Sequence, residues 1–298
     1  WINYEQCGIE PKFESRYATV CTPFAFNKYV GIFGLTGSVG GKAELGYLTK
    51  TYSAIKFDAP RFLDTCEGNA RKVITNHGVE LLDGREALIA RVCQIATAYF
   101  RKVPVLVIGS SREELSLLHD ALSRQDAVEA DDVQLFAEFD ASGKSLRDTW
   151  QEVVDDATKR LGGATDSHCR ITVTDRFGGR GHDFQVADKE SNANGGMLVI
   201  ATSIPDEREW IQWKGRTARQ DRPGQFYVIL DTKAKPFTEK KDLVQKVRKC
   251  VYTSGDKKGE IDHDARVEML LDCADEGIGD KLIAFQSEQA AGEKLNEL

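Results

Sequence analysis

The chain has 298 residues, 41% of them hydrophobic and 29% charged, which is enough apolar material for a real core in one large domain or two smaller ones. A net charge of −7, with a pI near 5.4, argues against a broad basic surface for nucleic acid or anionic lipid, although a local basic groove stays open. No run reaches the ~18 apolar residues that a membrane span needs, and no signal peptide is visible.

Seven scattered cysteines without a CxxC pair suggest neither a zinc site nor a disulfide framework; reduced thiols and a cytoplasmic location are expected. The first residue is Trp1 rather than Met, and the sequence reads as a piece of something longer. Residues 1–52 show no βα repeat and carry the Gly-rich stretch Gly34-Leu-Thr-Gly-Ser-Val-Gly-Gly-Lys42. From residue 72 short β-rich runs alternate with segments of helical period. Residues 72–75 predict a strand. Leu88, Ile89, Val92, Ile95, Ala96 and Tyr99 then recur at helical spacing. The run 103–109 is continuously apolar, as in a strand buried on both faces of a parallel sheet. Ser111 and Glu114 predict a capping box, with Leu115, Leu118 and Leu122 on one helix face.

The cycle repeats with a strand at 132–137, then a helix carrying Leu146, Trp150, Val153, Val154, Ala157 and Leu161 and closed by Gly162-Gly163. Strands follow at 170–174 and 197–201, a helix from Asp206 to Arg219, and a last strand at 225–231. Such alternation predicts an α/β fold, a parallel sheet covered by helices. Residues 236–298 read as a charged helical extension, with turns at 253–260 and 276–280.

Two motifs carry the candidate chemistry. Thr174-Asp-Arg-Phe-Gly-Gly-Arg-Gly-His-Asp183 follows a buried strand; its glycines let backbone N–H groups converge on a phosphate, Arg180 adds charge, and Asp183 can accept from a ribose hydroxyl. Gln212-Trp-Lys-Gly-Arg-Thr-Ala-Arg-Gln220 sets Arg216 and Arg219 three apart, so on one helical face they would converge on a single anion.

Together and in this order, the motifs resemble the SecA preprotein-translocase ATPase family within the superfamily 2 helicases. Thr174 to Phe184 looks like that family's motif V, and Gln212 to Gln220 like motif VI. The Gly195-Gly-Met-Leu-Val-Ile-Ala-Thr202 strand lies between them. Residues 103–115 look like motif IV, and Gly34-Leu-Thr-Gly-Ser38 resembles the segment that closes the first motor domain.

The resemblance covers two-thirds of the chain. It implies a tail of a first motor domain (1–52), a second RecA-like domain (53–235) and the helical extension (236–298). Gly178, Arg180, Gly181 and Asp183 would contact nucleotide, with Gln212 and Gln220 beside them, and Arg216 and Arg219 would be the sensing and catalytic arginines. ATP with Mg²⁺ would be held mainly by an N-terminal RecA-like domain of the same full-length protein. The motor would move protein or, less favoured, nucleic acid; protein translocation itself is not implied, since residues 236–298 show no preprotein-binding insertion or SecA scaffold helix.

His182 stands where the family has Thr, Lys214 where it has Arg, and Ser203 to Ile211 lacks the family's Glu-Arg-His string. Neither Gly-Lys segment makes a phosphate loop. Ala43 stands where Mg²⁺ needs Ser or Thr, and Glu138 where Gly143-Lys144-Ser145 needs a leading glycine. No acidic pair follows an apolar strand; Asp155-Asp156 fall mid-helix. This stretch alone is therefore not expected to hydrolyse ATP, no metal site is expected, and a catalytically silent protein-binding module is the alternative.

Overall fold

In Val105–Gly109 every residue is buried, and alternate side chains go to opposite faces. Val105 and Val107 join one apolar cluster, while Leu106 and Ile108 join the other. This strand is the second of eight in the computed structural model, which describes residues 21–59, 74–140, 142–163, 166–175, 182–217 and 222–297. In chain order the strands are β1 (Ile74–Leu82), β2 (Val105–Gly109), β3 (Val133–Phe136), β4 (Arg160–Leu161), β5 (His168–Cys169), β6 (Ile171–Asp175), β7 (Leu198–Ala201) and β8 (Gly224–Asp231). Six form one sheet in the order β1-β8-β7-β2-β6-β3, every pairing parallel, and β4 and β5 make a small antiparallel pair.

The helices are α1 (Thr22–Phe26), α2 (Lys42–Tyr52), α3 (Arg85–Tyr99), α4 (Arg112–Ser123), α5 (Trp150–Ala157), α6 (Lys189–Ala193), α7 (Glu207–Lys214), α8 (Leu243–Arg248) and α9 (His263–Glu297). Leu88 and Val92 of α3 and Leu115, Leu118 and Leu122 of α4 cover one face of the sheet. Val154 of α5, Trp210 and Trp213 of α7, Leu243 and Val247 of α8, and Val267 and Leu270 of α9 cover the other. The expected α/β fold, a parallel sheet covered by helices on both faces, is present.

Ser111 caps α4 by accepting from Glu114 N at 3.2 Å. The Glu114 carboxylate returns to Ser110 N rather than to Ser111, and it also accepts from the Thr202 hydroxyl at 2.7 Å. Helix, β2 and β7 are thereby tied at the carboxyl edge of the sheet.

Four expectations are corrected. The strand expected at 72–75 runs on to Leu82, with a bulge between Asn76 and Val79. Gly78 sits at φ 131, and a Cβ there would meet the His263 ring at 2.9 Å. The bulge leaves the Val79 peptide to α9: Val79 N donates to His263 Nδ1 (3.1 Å), and Val79 O accepts from Arg266 Nη1 (3.0 Å).

The helix expected to reach Leu161 stops at Ala157, since Leu161 pairs with His168 across β4 and β5. The helix expected from Asp206 to Arg219 stops at Lys214, with Gly215 as its cap. Thr217 then diverts the chain, donating to Met197 O (2.6 Å) and accepting from Gln225 N (3.2 Å). Arg216 is therefore not on a helix, and the argument from helical spacing to Arg219 does not hold; Arg219 lies outside the described residues.

The turn expected at 276–280 lies inside α9, which runs unbroken through Gly277 and Gly279. Alongside it lies α2: Lys42 pairs with Asp272 (3.1 Å), Ala43 N donates to Asp275 (3.2 Å) and the Tyr47 hydroxyl meets Gln289 (3.2 Å). The two flanks of the sequence meet there.

Candidate functional site

Because the six strands are parallel, their carboxyl ends share one edge, where ligands of open α/β sheets bind. Chains leave β2 and β7 toward opposite faces, into α4 and α7, so a crevice opens between these neighbouring strands. Glu114 and Thr202 close its floor. Sequence reasoning missed this pair because its only trace is one hydroxyl at the end of an apolar strand.

Beyond Asp175 of β6, residues 176–181 of the glycine loop lie outside the described residues, and with them Gly178, Arg180 and Gly181; Gln220 also lies outside. The chain is described again from His182, and its anchoring there is specific. Phe184 and Val186 are buried in the core. Phe184 packs edge-on against Phe136, and the His182 ring lies edge-on to Phe136 (5.3 Å) and Trp150 (5.6 Å). The histidine that replaces the family's Thr is thus part of an aromatic cluster. Asp183 accepts from Gln185 Nε2 at 2.6 Å.

Arg216, only 6% exposed, donates Nη1 to the carbonyl of His182 at 2.7 Å. A hydrogen bond from a buried cation is among the stronger ones, and this one joins the glycine-loop segment to the arginine segment across 34 residues of sequence. Arg216 and the His182-Asp183 segment are therefore together. Gln212 is half-buried on α7. At the end of the same helix Lys214 is half-buried, and burial pushes its amine down from the usual lysine range.

Both Gly-Lys segments are closed to phosphate. In Gly143-Lys144-Ser145 the amides are turned to Asp140, which accepts from the Ser142 hydroxyl (2.6 Å), Ser142 N and Lys144 N (2.9 Å each). These bonds, the Ser142 hydroxyl first, hold the Asp140 carboxyl below the usual carboxylate range. Ahead of α2, Gly41 N donates to Glu44 and Ala43 N to Asp275, so carboxylates already take that helix start. Asp156 pairs with Lys159 and Arg170. Among the described residues no three His, Cys, Asp or Glu side chains form a metal-sized cluster, and no helix is long and apolar enough to cross a membrane.

The sequence matches protein translocase subunit SecA of Wolinella succinogenes at 27% identity over 228 residues. The chain is similar in sequence to this subunit. The match covers 75% of this chain and 23% of that protein, so the chain spans about a quarter of the length of this curated relative. No family model matches.

Among solved structures, the E. coli DEAD-box protein SrmB, bound to regulator of ribonuclease activity A, is 14% identical with a TM-score of 0.39, over 58% of this chain and 84% of that one. S. cerevisiae Dbp5, bound to RNA and ADP BeF3, is 12% identical with a TM-score of 0.41, over 78% of this chain and 53% of that one. Likeness at this level carries nothing about ligands. The fold rests on the sheet itself.

Proposed function

We propose that this chain is the second RecA-like half of a SecA-like ATPase motor, closing an ATP site whose phosphate loop and Mg²⁺ carboxylates belong to a first motor domain. Residues 53–235 would be that half, 1–52 the tail of the first domain and 236–298 a helical extension. The observation that carries the reading is the Arg216–His182 hydrogen bond, which joins the two segments that resemble motifs V and VI. The SecA match over most of the chain supports it.

In this reading Gly178, Arg180 and Gly181 face phosphate, Asp183 takes a ribose hydroxyl, and Gln212 and Gln220 flank them. Arg219 is the catalytic finger at the γ-phosphate. Arg216 acts as a positioning residue, because its guanidinium holds the loop that carries Asp183. Mg²⁺ would neutralise phosphate charge, and this chain's part is to orient and to exclude water. The substrate moved is proposed to be a polypeptide, the net charge of −7 disfavouring nucleic acid, and the setting to be cytoplasmic.

A second reading, a catalytically silent binding module, is favoured by His182, whose ring packs among Phe136 and Trp150. ATP turnover of a protein containing both halves separates the two. Arg219→Ala should lower turnover by about 10³-fold or more with folding intact, and this chain alone should be inert. Unchanged turnover in the variant would remove the finger assignment, and a two-half protein that neither binds nor hydrolyses ATP would leave the silent module.

A further inference from the structure

On the flank away from the crevice, a cavity of about 740 Å³ opens between the end of α7, the start of β1 and the 252–264 segment leading into α9. Its volume lies in the range of small-molecule sites. Lys214 lines it, and among the described residues this amine has neither a hydrogen bond nor an ion-pair partner. What lies near it is the Trp210 ring, 5.8 Å from Nζ. Of the two carboxylates that act on the amine from beyond contact, Asp264 and Glu207, Asp264 also accepts from Asn76 Nδ2 at 2.7 Å.

A lysine drawn half out of water with no carboxylate in contact, only Asp264 and Glu207 at longer range, still gains from an anion that joins it. Lys257 supplies a second cation on the wall, and Phe226 and Tyr252 supply flat apolar surface. His263, whose Nδ1 accepts from Val79 N, is neutral in this arrangement, so it brings no competing charge. Glu260 in the lining, with Glu207 acting on Lys214 from α7, would select against ligands with dispersed negative charge.

We infer that this cavity is a binding site for a small organic anion, a phosphate ester or carboxylate attached to a flat ring, held by Lys214 and Lys257 with its ring against Tyr252 and Phe226. Occupied, it would clamp three segments together: the end of α7, the bulged start of β1 and the approach to α9. The inference is independent of the ATPase proposal.

The test uses the chain as it stands, with phenyl phosphate, benzoate and inorganic phosphate as probes, read by tryptophan fluorescence and melting temperature. Phenyl phosphate or benzoate should bind saturably, quench Trp210 and raise the melting point, as any ligand of the folded state does. Inorganic phosphate should bind about tenfold more weakly, lacking the ring. Lys214→Met should weaken the ring-bearing probe about tenfold or more. Lys214→Arg should retain it, and Tyr252→Ala should erase its advantage over inorganic phosphate. Lys257→Met, remote from the core, supplies a second charge deletion if Lys214→Met fails to fold. Which of the two ring-bearing probes wins separates a phosphate ester from a carboxylate. Arg219→Ala should leave all of this unchanged. No binding by any probe, or binding as tight as the unmutated chain's in both Lys214→Met and Lys257→Met, would overturn the inference.

Discussion

The two faces of the sheet are built to different rules. On α3 and α4 the buried side chains are almost wholly apolar, and among the described residues Glu114 is the only buried charge on either helix. The opposite face buries Glu209 on α7, Arg216 and Thr217 after it, and Arg266 on α9. Two of these hold backbone carbonyls across large sequence gaps: Arg216 holds His182 O, and Arg266 holds Val79 O. A hydrophobic side chain would often serve stability as well as a buried cation does. Their presence therefore marks the face where position matters more than packing energy: the first face stabilises, and the second places groups.

Substitutions that separate stability from turnover would test that contrast. The largest stability effect is expected on the apolar face. Leu118→Ala, at a fully buried α4 position, should cost about 2–5 kcal/mol by leaving a cavity. Denaturant melts would show it, while turnover per folded molecule in the two-half protein stays near wild type. On the placing face the pattern should invert. Arg216→Met keeps the volume of the stem and loses the bond to His182, so the melt should shift little while turnover falls about 10²-fold through displacement of the glycine loop. Equal losses in both assays for both variants would collapse the distinction.

A smaller effect belongs to β5, in the small antiparallel pair outside the main sheet. His168 donates Nδ1–H to Asp166 O (2.9 Å) and Nε2–H to Asp132 (2.8 Å), so both nitrogens act as donors and the ring is held as imidazolium. The bond to Asp166 O and the Asp132 carboxylate raise its pKa above the ordinary 6.5, against burial. A raised folded pKa gives a contribution fully present below the unfolded value of about 6.5 and lost as pH rises through the folded value. Unfolding free energy measured from pH 6 to 9 should therefore decline on the alkaline side, and His168→Gln should flatten that decline.

How much of this was legible beforehand follows from which forces act locally. β2, β6 and β7 announce themselves as apolar runs, and Leu115, Leu118 and Leu122 announce α4, because burial on a regular element leaves a period in the sequence. The β1 bulge left no such period: what keeps Asn76 to Val79 in the strand comes from far along the chain, from pairing with β8, the His77–Gln225 and Asn76–Asp264 bonds, and the contacts of His263 and Arg266. The end of α7 was misjudged for a similar reason. Lys214 to Gln220 has good helical spacing, but Thr217 gains more from Met197 O and Gln225 N than another helical turn would offer. The two segments of the candidate site were readable as motifs. Their meeting through His182 O was not, since a backbone carbonyl carries no residue identity.

The finest comparison is between two helix caps of like strength. Ser111 accepts from Glu114 N at 3.2 Å to start α4, and Asp206 accepts from Glu209 N at 2.8 Å to start α7. Replacing either by Ala removes one side-chain acceptor from a helix start and should cost about 1 kcal/mol of stability. Beyond that the two should part. α4 is pinned by Leu115, Leu118 and Leu122, and Glu114 stays tied to Ser110 N and the Thr202 hydroxyl without the cap, so Ser111→Ala should leave turnover alone. α7 has only eight residues and delivers Gly215 and Arg216 directly at its end. Fraying at Asp206 shifts that delivery, so Asp206→Ala should lower turnover severalfold at the same loss of stability. Matched melting shifts with unmatched ATPase rates would show that the second face is tuned for placement; matched rates would mean that α7 is held by Trp210 and Trp213 alone.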